Sequence, residues 1–134
     1  AAFDGDRLWQ QALRRSGAVK SLLMDNHVVV GVGNIYANEA LYRAGIRPST
    51  PARRVSRVRM ARLAGAVRDV LTEAIGDGGS TLRDYVNGQG KPGRYQLRYY
   101  VYGRAGERCR VCGSSVRSHY LGQRNTFWCP GCQK

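Results

Sequence analysis

The chain has 134 residues, and 22 Lys and Arg residues against 9 Asp and Glu residues give it a formal net charge of +13 at pH 7. A hydrophobic content of 43% is enough for one ordinary globular domain or two small ones. The longest aliphatic run is Val28-Val29-Val30, far too short for a transmembrane helix, and no signal peptide opens the chain, so we expect a reducing intracellular compartment.

The excess of positive charge indicates a polyanionic partner, of which nucleic acid is the commonest. An acidic membrane surface is the rival, but it calls for a basic amphipathic helix with bulky apolar residues, and none stands out. Nineteen of the 22 basic residues are arginines, since the lysines are Lys20, Lys91 and Lys134. Arginine suits bidentate phosphate contacts, although a GC-rich genome explains the same bias equally well.

Two helices are predicted at the start of the chain. The first runs from Phe3 to Ser16, with Asp4 or Asp6 as its cap and Gly17 as its end, and its apolar stripe comprises Leu8, Trp9, Ala12 and Leu13. A short helical turn follows from Lys20 to Asp25, with Ser21 as a possible cap. Taken alone, Lys20 is a solvated surface charge.

A glycine-rich turn leads into a third helix, predicted from about Ile35 to Ala44 and ended by Gly45. Gly31 and Gly33 allow the turn, and Asn34 stands at the N-cap position. Such a helix start exposes backbone N–H groups and the positive end of the helix dipole, which together form a natural phosphate seat. A plain helix cap is the simpler interpretation.

A linker from Pro48 to Pro51 precedes the longest predicted helix, which Ser56 caps and which runs to about Ile75. Helical spacing puts seven residues in its core stripe: Met60, Leu63, Ala64, Val67, Leu71, Ala74 and Ile75. Five arginines crowd its start, as a DNA-facing patch or as a solvated face: Arg53, Arg54, Arg57, Arg59 and Arg62.

Less regular structure is predicted next. Thr81 to Asp84 resembles a capping box, and the glycine-rich segment 87–93 is a loop of the kind that serves as a lid or a plain connector. Leu97 to Tyr102 has strand character. Its tyrosines are expected to pack between the helical part and the C-terminal segment, with a phosphate contact as the alternative for Tyr102.

All four cysteines lie in the last 26 residues, as Cys109-x-x-Cys112 and Cys129-x-x-Cys132 separated by 16 residues. This spacing predicts one structural zinc ion in a closed four-cysteine site on a β-hairpin. The expected strands are Val116 to Tyr120 and Asn125 to Trp128, with the turn at 121–124. A pair of disulfides or a redox CxxC motif is the alternative, which the absence of a secretion signal disfavours.

The sequence offers no catalytic constellation. His27 and His119 are isolated, no paired carboxylates can be argued from spacing, and no serine lies in a Gly-x-Ser-x-Gly context. A metal ligated by four cysteines has no open position for a substrate. The residues by themselves therefore indicate a binding module.

Together the motifs closely resemble the C-terminal half of bacterial formamidopyrimidine-DNA glycosylase over nearly the whole chain. They are Gly31-Val-Gly-Asn34-Ile-Tyr-Ala-Asn-Glu-Ala-Leu-Tyr-Arg-Ala-Gly-Ile46, Thr81-Leu-Arg-Asp-Tyr, Val101-Tyr-Gly-Arg104 and Arg124-Asn-Thr-Phe-Trp-Cys129-Pro-Gly-Cys-Gln133. The resemblance implies a mostly α fold, with a helix-two-turn-helix domain over residues 1–98 and a four-cysteine zinc finger on a small β-hairpin over residues 99–134.

The resemblance also implies roles for single residues. Asn34 and the hairpin arginine Arg124 match residues that hold DNA phosphates near a lesion, and Lys20 matches a lysine that lines the lesion pocket. The loop from about Val86 to Tyr95 corresponds to a cap over an extruded oxidised purine. With Gly33 and Tyr102 as further candidates, the expected partner is damaged double-stranded DNA in the bacterial cytoplasm, at the nucleoid.

One departure from the family limits this expectation. The family's nucleophile is an N-terminal proline beside a glutamate, whereas this chain opens Ala1-Ala2-Phe3 and has prolines only at 48, 51, 92 and 130. We therefore expect a part of a longer glycosylase and abasic lyase that removes oxidised purines such as 8-oxoguanine, and we expect this part alone to be inactive. The alternatives are a stand-alone zinc-containing nucleic-acid-binding module and a protein-interaction adaptor.

Overall fold

A computed structural model of the protein describes residues 4–25, 28, 32–74 and 99–134. The described part is mostly helical and ends in a two-stranded antiparallel hairpin, which confirms the predicted fold class. The elements in chain order are α1 (Gly5–Ala12), α2 (Val19–Met24), α3 (Asn34–Ala44), a 3-10 turn (Ala52–Arg54), α4 (Arg57–Glu73), β1 (Arg117–Leu121) and β2 (Arg124–Trp128).

Helix α1 is shorter than its apolar stripe predicts. The Asp4 carboxylate caps it by accepting a hydrogen bond from the Arg7 N–H at 2.9 Å, as expected, but the last helical residue is Ala12 and not Ser16. Leu13 lies at the C-cap with half of its surface exposed, so its assignment to the buried stripe was wrong. The stripe extends only as far as Ala12, which is fully buried.

Two predicted caps are also wrong. Ser21 lies inside α2, whose N-cap is Ala18, and the backbone of Ala18 forms an isolated bridge with Pro51. Asn34 is the first residue of α3, and Gly33 takes the N-cap position in extended backbone geometry. Gly45 ends α3 as predicted, with a left-handed φ of 73° that a residue with a Cβ adopts only under strain.

Helix α4 begins as predicted, because the Ser56 hydroxyl accepts a hydrogen bond from the Arg59 N–H at 3.2 Å. It packs against both α1 and α3. Met60, Leu63, Ala64 and Val67 are buried, as their spacing predicts, and Leu71 packs at the edge of the core. Ala66 and Val70 are buried as well, while Ala74 is partly exposed and Ile75 lies outside the described residues.

The hairpin forms where it is predicted, except that β1 begins and ends one residue later and β2 begins one residue earlier than expected. Gly122 and Gln123 both have positive φ, 60° and 65°, and they make a two-residue turn whose twist matches that of the paired strands. Register runs from Arg117 opposite Trp128 to Leu121 opposite Arg124. A second, smaller core lies under the hairpin and consists of Tyr42, Val101, Cys109, Val116 and Cys129.

The strand predicted from Leu97 to Tyr102 is absent from its described part, residues 99–102. Their backbone N–H groups donate to a side chain and not to a neighbouring strand. The buried Glu39 carboxylate accepts hydrogen bonds from the N–H groups of Tyr100, Val101 and Tyr102 at 2.8, 2.9 and 2.8 Å. The expected capping box at 81–84, the loop at 86–95 and His27 fall outside the described residues. Within the described residues, no helix combines the length and hydropathy needed to cross a membrane.

Candidate nucleic-acid interface and metal centre

The start of α3 and the second hairpin strand are joined by asparagine side chains. Asn34 donates from Nδ2 to the carbonyl oxygen of Asn125 at 3.0 Å. Asn38, one turn further along, donates to the Asn34 carbonyl oxygen at 2.8 Å and accepts the N–H of Phe127 at 2.7 Å. Two of the elements expected to contact phosphates therefore share one hydrogen-bonded junction.

Gly33 leaves open space at this junction. It is exposed, and a Cβ built on it would meet no atom within 4 Å. Its φ of −89° and ψ of −179° are accessible to any residue. The fold itself therefore does not require glycine at this position, and only a close approach by an outside group would.

Lys20 is buried, with 2% of its surface exposed, so its interpretation as a solvated surface charge was wrong. Its Nζ donates to the Thr126 hydroxyl at 2.7 Å, and this contact joins α2 to β2. Burial, together with the positive charge of Arg124, lowers the pKa of Lys20 from 10.5 to about 8. Residues near Lys20 in the chain do not indicate this burial, because the acceptor lies 106 residues away.

A cleft of about 230 Å³ opens beside Lys20 and the exposed Arg124. Its other lining residues come from α2, from the residue after it and from the hairpin turn: Ser21, Met24, Asp25, Leu121 and Gly122. Lys20 and Arg124 thus face one open space with a single carboxylate, Asp25, which is paired with Arg15, and this excess of positive charge attracts an anion.

Tyr102 packs between other rings, as the sequence predicts for these tyrosines. Its ring meets Tyr99 and Phe127 edge to face, with centroid separations of 5.8 and 5.1 Å, and it is half-buried. Tyr100 stacks on Tyr42 of α3 at 5.0 Å. The tyrosine segment therefore joins α3 to the hairpin, and the phosphate contact of Tyr102 stays a prediction.

The arginines around the start of α4 do not form one uniform patch. Arg57 pairs with Asp6 at 2.8 Å and lies over the Trp9 ring, and Arg59 donates to the Gly45 carbonyl oxygen at 3.0 Å. These two link α4 to its neighbours. Arg53, Arg54 and Arg62 are exposed.

The four cysteines come together as their spacing predicts. The four Sγ atoms of Cys109, Cys112, Cys129 and Cys132 all lie within 4.8 Å of one another. Two of the separations are 3.3 and 3.7 Å, well beyond a disulfide bond of about 2.05 Å. A tetrahedral ion with metal–sulfur bonds of about 2.3 Å places its sulfurs about 3.8 Å apart, so the donor set fits a zinc-like metal.

Hydrogen bonds around the sulfurs also suit a bound cation. Backbone N–H groups approach three of them: Val111 to Cys109 at 3.4 Å, Ser114 to Cys112 at 3.5 Å, and Cys132 to Cys129 at 3.4 Å. Burial would raise the pKa of Cys109, but hydrogen bonds from Tyr42 and from backbone groups outweigh it and hold that pKa at about 6. Burial and the neighbouring sulfurs raise the pKa of Cys132 to about 12.

Several residues that hold the site together were missed from the sequence. Asn38, Glu39 and Tyr42 project from α3 toward the hairpin segment. Gln133 is fully buried, donates to the Ile46 carbonyl oxygen at 2.9 Å and accepts the Cys129 N–H at 2.7 Å. One signal was available: α3 carries polar groups at i, i+4, i+5 and i+8 from Asn34, which is one helical face, and Ala37, Ala40, Leu41 and Ala44 lie on another.

Comparison with known proteins points in one direction. The family model described as the formamidopyrimidine-DNA glycosylase H2TH domain matches residues 1–86, more than half of the chain. The Formamidopyrimidine-DNA glycosylase of Alkalilimnicola ehrlichii is 55% identical over 133 residues, covering 99% of this chain and 48% of that protein. That of Ectopseudomonas mendocina is 54% identical over 132 residues, covering 98% of this chain and 49% of that protein.

Solved structures agree with the sequence comparison. The crystal structure of the MutM (Fpg) protein from Thermus thermophilus superposes with a TM-score of 0.84 at 41% identity, covering 98% of this chain and 50% of that one. The Lactococcus lactis Fpg in complex with a FAPY-dG-containing DNA gives 0.84 at 30% identity, covering 98% and 48%. The chain spans about half the length of the curated relatives it matches. The resemblance seen in the motifs is thereby confirmed, and the chain belongs to the formamidopyrimidine-DNA glycosylase family, whose H2TH domain it carries.

Proposed function

We propose that this chain is the DNA-gripping half of a base-excision glycosylase and abasic lyase that removes oxidised purines, such as 8-oxoguanine and formamidopyrimidines. The observation that carries the proposal is the junction of Asn34 with Asn125 in a chain of net charge +13. It brings a helix N-terminus and the hairpin arginine Arg124 to one side of the molecule. The Lactococcus lactis relative bound to FAPY-dG-containing DNA supports damaged duplex DNA as the partner.

In this proposal the phosphates are held from two sides. Asn34, Gly33 and the N-terminal end of α3 take one phosphate, since that helix end carries partial positive charge. Arg124 takes another from the hairpin, and Tyr102 borders the same side. Two grips on either side of a lesion hold a kinked duplex.

Lys20 is proposed to face the lesion. Its ammonium group lies beside the cleft that it shares with Arg124, and a buried cation gains most from an anionic or carbonyl partner placed there. A bound phosphate at Arg124 would offset the charge that lowers the pKa of Lys20.

The metal is proposed to be one zinc ion held by Cys109, Cys112, Cys129 and Cys132. When bound, it would cross-link two short turns, the knuckles Cys109–Cys112 and Cys129–Cys132. A metal with four cysteine ligands has no open position for a substrate. The predicted division into residues 1–98 and 99–134 draws support from the two apolar cores, of which the smaller consists of residues from 101–129 together with Tyr42 of α3. A reducing bacterial cytoplasm, at the nucleoid, suits free thiols at metal-binding spacing.

Bond cleavage is proposed to belong to the other half of the full-length protein. There a secondary amine would attack C1′ of an extruded nucleotide and break its bond to the damaged base, which leaves. Elimination would then break the C–O bonds from the sugar to its 3′ and 5′ phosphates. This chain would position the DNA for that attack. Borohydride trapping on duplex DNA that contains 8-oxoguanine should give no covalent adduct with this chain, and a robust adduct would contradict the assignment.

The grip is tested by the salt dependence of duplex binding, measured by fluorescence anisotropy. Arg124→Ala should weaken binding and reduce the slope of log K against log salt by about 1, because one phosphate contact is lost. Arg124→Lys is the matched control, since it keeps the charge and should keep the slope. If the slope of Arg124→Ala equals that of the native chain, Arg124 does not hold a phosphate.

A further inference from the structure

A tyrosine from the helical part of the chain reaches into the metal centre. Tyr42, in the last turns of α3, is 8% exposed, and its hydroxyl oxygen lies 3.3 Å from Cys109 Sγ and 3.8 Å from Cys132 Sγ. These two cysteines belong to different knuckles. A single hydroxyl group therefore lies within hydrogen-bond range of one sulfur from each half of the site.

The position of the ring is fixed without the hydroxyl. Tyr42 stacks on Tyr100 with centroids 5.0 Å apart and planes 15° from parallel, and the Arg110 guanidinium carbon lies 6.0 Å from the Tyr100 centroid. Phenylalanine would fill the same space. The hydroxyl is buried, and a buried hydroxyl costs free energy unless it has a hydrogen-bond partner. The sulfurs are that partner.

Metal ligation determines the direction of these hydrogen bonds. A cysteine bound to a metal is a thiolate, which has no proton to give, so the Tyr42 O–H is the donor. Backbone N–H groups donate to Cys109, Cys112 and Cys129 from within the knuckles themselves. Tyr42 differs from these donors because it comes from α3, 67 residues before Cys109.

We propose that Tyr42 is an outer hydrogen-bond donor to the metal centre, and that it keeps the Cys109 and Cys132 thiolates less nucleophilic and slower to lose their metal. A hydrogen bond withdraws charge from a thiolate sulfur and opposes its protonation or alkylation, which are the steps that free the ion. Partners of metal ligands tune both retention and reactivity in this way. The inference rests on the proposed metal site.

The test is Tyr42→Phe in the zinc-loaded chain. With a chelator present to report free zinc, and an alkylating agent added, Tyr42→Phe should release its zinc about 10-fold faster than the native chain. Tyr120→Phe is the matched control, because Tyr120 lies on β1 with 71% of its surface exposed, and it should release zinc at the native rate.

A spectroscopic readout separates this role from simple packing. In the cobalt-substituted chain, Tyr42→Phe should move the sulfur-to-cobalt charge-transfer band to lower energy, because thiolates without the hydrogen bond are more easily oxidised. The native cadmium-substituted chain should show an NMR correlation between the Tyr42 hydroxyl proton and the cadmium nucleus, a measurement that needs no variant. Native release rates with an unmoved band, or a missing correlation, would overturn the inference. A chain that takes up no zinc, cobalt or cadmium would instead refute the metal site itself.

Discussion

The Lys20 ammonium group is buried and lies near a second positive charge, that of Arg124. Its pKa of about 8 in the folded chain lies below its ordinary value of 10.5, through burial first and Arg124 second. Between these two values the unfolded chain binds more protons than the folded chain, so stability rises with pH across that interval. Below about pH 8 Lys20 stays charged in the folded chain, so burial of this charge lowers the free energy of unfolding by its full amount.

Lys20→Met should therefore increase the free energy of unfolding at pH 7, by about 1–2 kcal/mol, because it removes a buried charge and keeps an apolar stem of similar length. It should also remove part of the rise in stability between pH 8 and 10.5. Urea unfolding across that range measures both effects. Lys134→Met is the control, since Lys134 is exposed. If the free energy of unfolding of the native chain and of Lys20→Met changed with pH in parallel, burial of Lys20 would not destabilise the folded chain.

A substitution at Gly33 can distinguish an effect on folding from an effect on DNA binding. A methyl group there meets nothing within 4 Å, so Gly33→Ala should cost less than about 1 kcal/mol, the usual difference between Gly and Ala at an N-cap. If a phosphate approaches the backbone at this point, the same methyl group obstructs it. We expect duplex affinity to fall by about 10-fold, whereas Gly17→Ala, also free of contacts, should bind normally. If Gly33→Ala and Gly17→Ala bound duplex DNA with equal affinity, no phosphate would lie against the backbone at Gly33.

At the scale of elements, α3 has two roles on two faces. Ala37, Ala40, Leu41 and Ala44 are buried in the main core. The polar side, with Asn34, Asn38 and Glu39, makes hydrogen bonds to the C-terminal segment, residues 99–134. The small side chains on the first face let α4 pack closely, and the second face fixes where the hairpin lies.

Helices α1 and α4 cross where Gly5 meets Ala61. A Cβ on Gly5 would lie 2.5 Å from the Ala61 Cα and 2.9 Å from its backbone nitrogen, so Gly5→Ala must push the helices apart and should destabilise the chain by about 1–3 kcal/mol. Gly65→Ala, inside α4 with no atom within 4 Å, should instead stabilise it by about 0.5–1 kcal/mol. Thermal unfolding by circular dichroism distinguishes the signs. Two shifts in the same direction would contradict the close crossing.

Local signals predicted the elements well where local chemistry decides them. Ser56 caps α4 and Gly45 ends α3, because each depends on neighbours a few residues away. The Cys-x-x-Cys pairs meet because a short hairpin joins them. Some errors are local, such as the caps expected at Ser21 and Asn34, and the others lie where distant partners decide. The strand expected at 97–102 has its described backbone N–H groups taken by Glu39, and Lys20 finds its acceptor on β2. The polar face of α3 signals that Glu39 has a partner, but no local pattern identifies that partner.

Over the whole molecule, Glu39 joins the helices to the C-terminal segment, residues 99–134, through three hydrogen bonds. It is 3% exposed, and its two oxygens accept three backbone N–H groups from residues 100–102. The stacked pair Tyr42–Tyr100 and the Gln133 contact with Ile46 join the same two parts. The two proposed phosphate grips therefore keep a fixed separation only while these links hold.

Glu39→Gln tests this link. An amide has one acceptor oxygen, so its NH2 group would face at least one backbone N–H that now meets a carboxylate oxygen. Leaving a buried donor unpaired should cost about 1–3 kcal/mol. Duplex affinity should fall as well, while binding of the proposed zinc ion should not change, because the cysteines themselves are untouched.

The matched control is Glu107→Gln. Glu107 accepts from Arg104 at 3.0 Å, but its side chain is 58% exposed, so its loss should cost less than about 1 kcal/mol and leave DNA binding intact. Urea unfolding, zinc analysis and anisotropy on both variants give the comparison. If Glu39→Gln lost stability but kept native affinity, the buried carboxylate would support folding alone, and the spacing of the two grips would have to be set by Asn38, Tyr42 and Gln133.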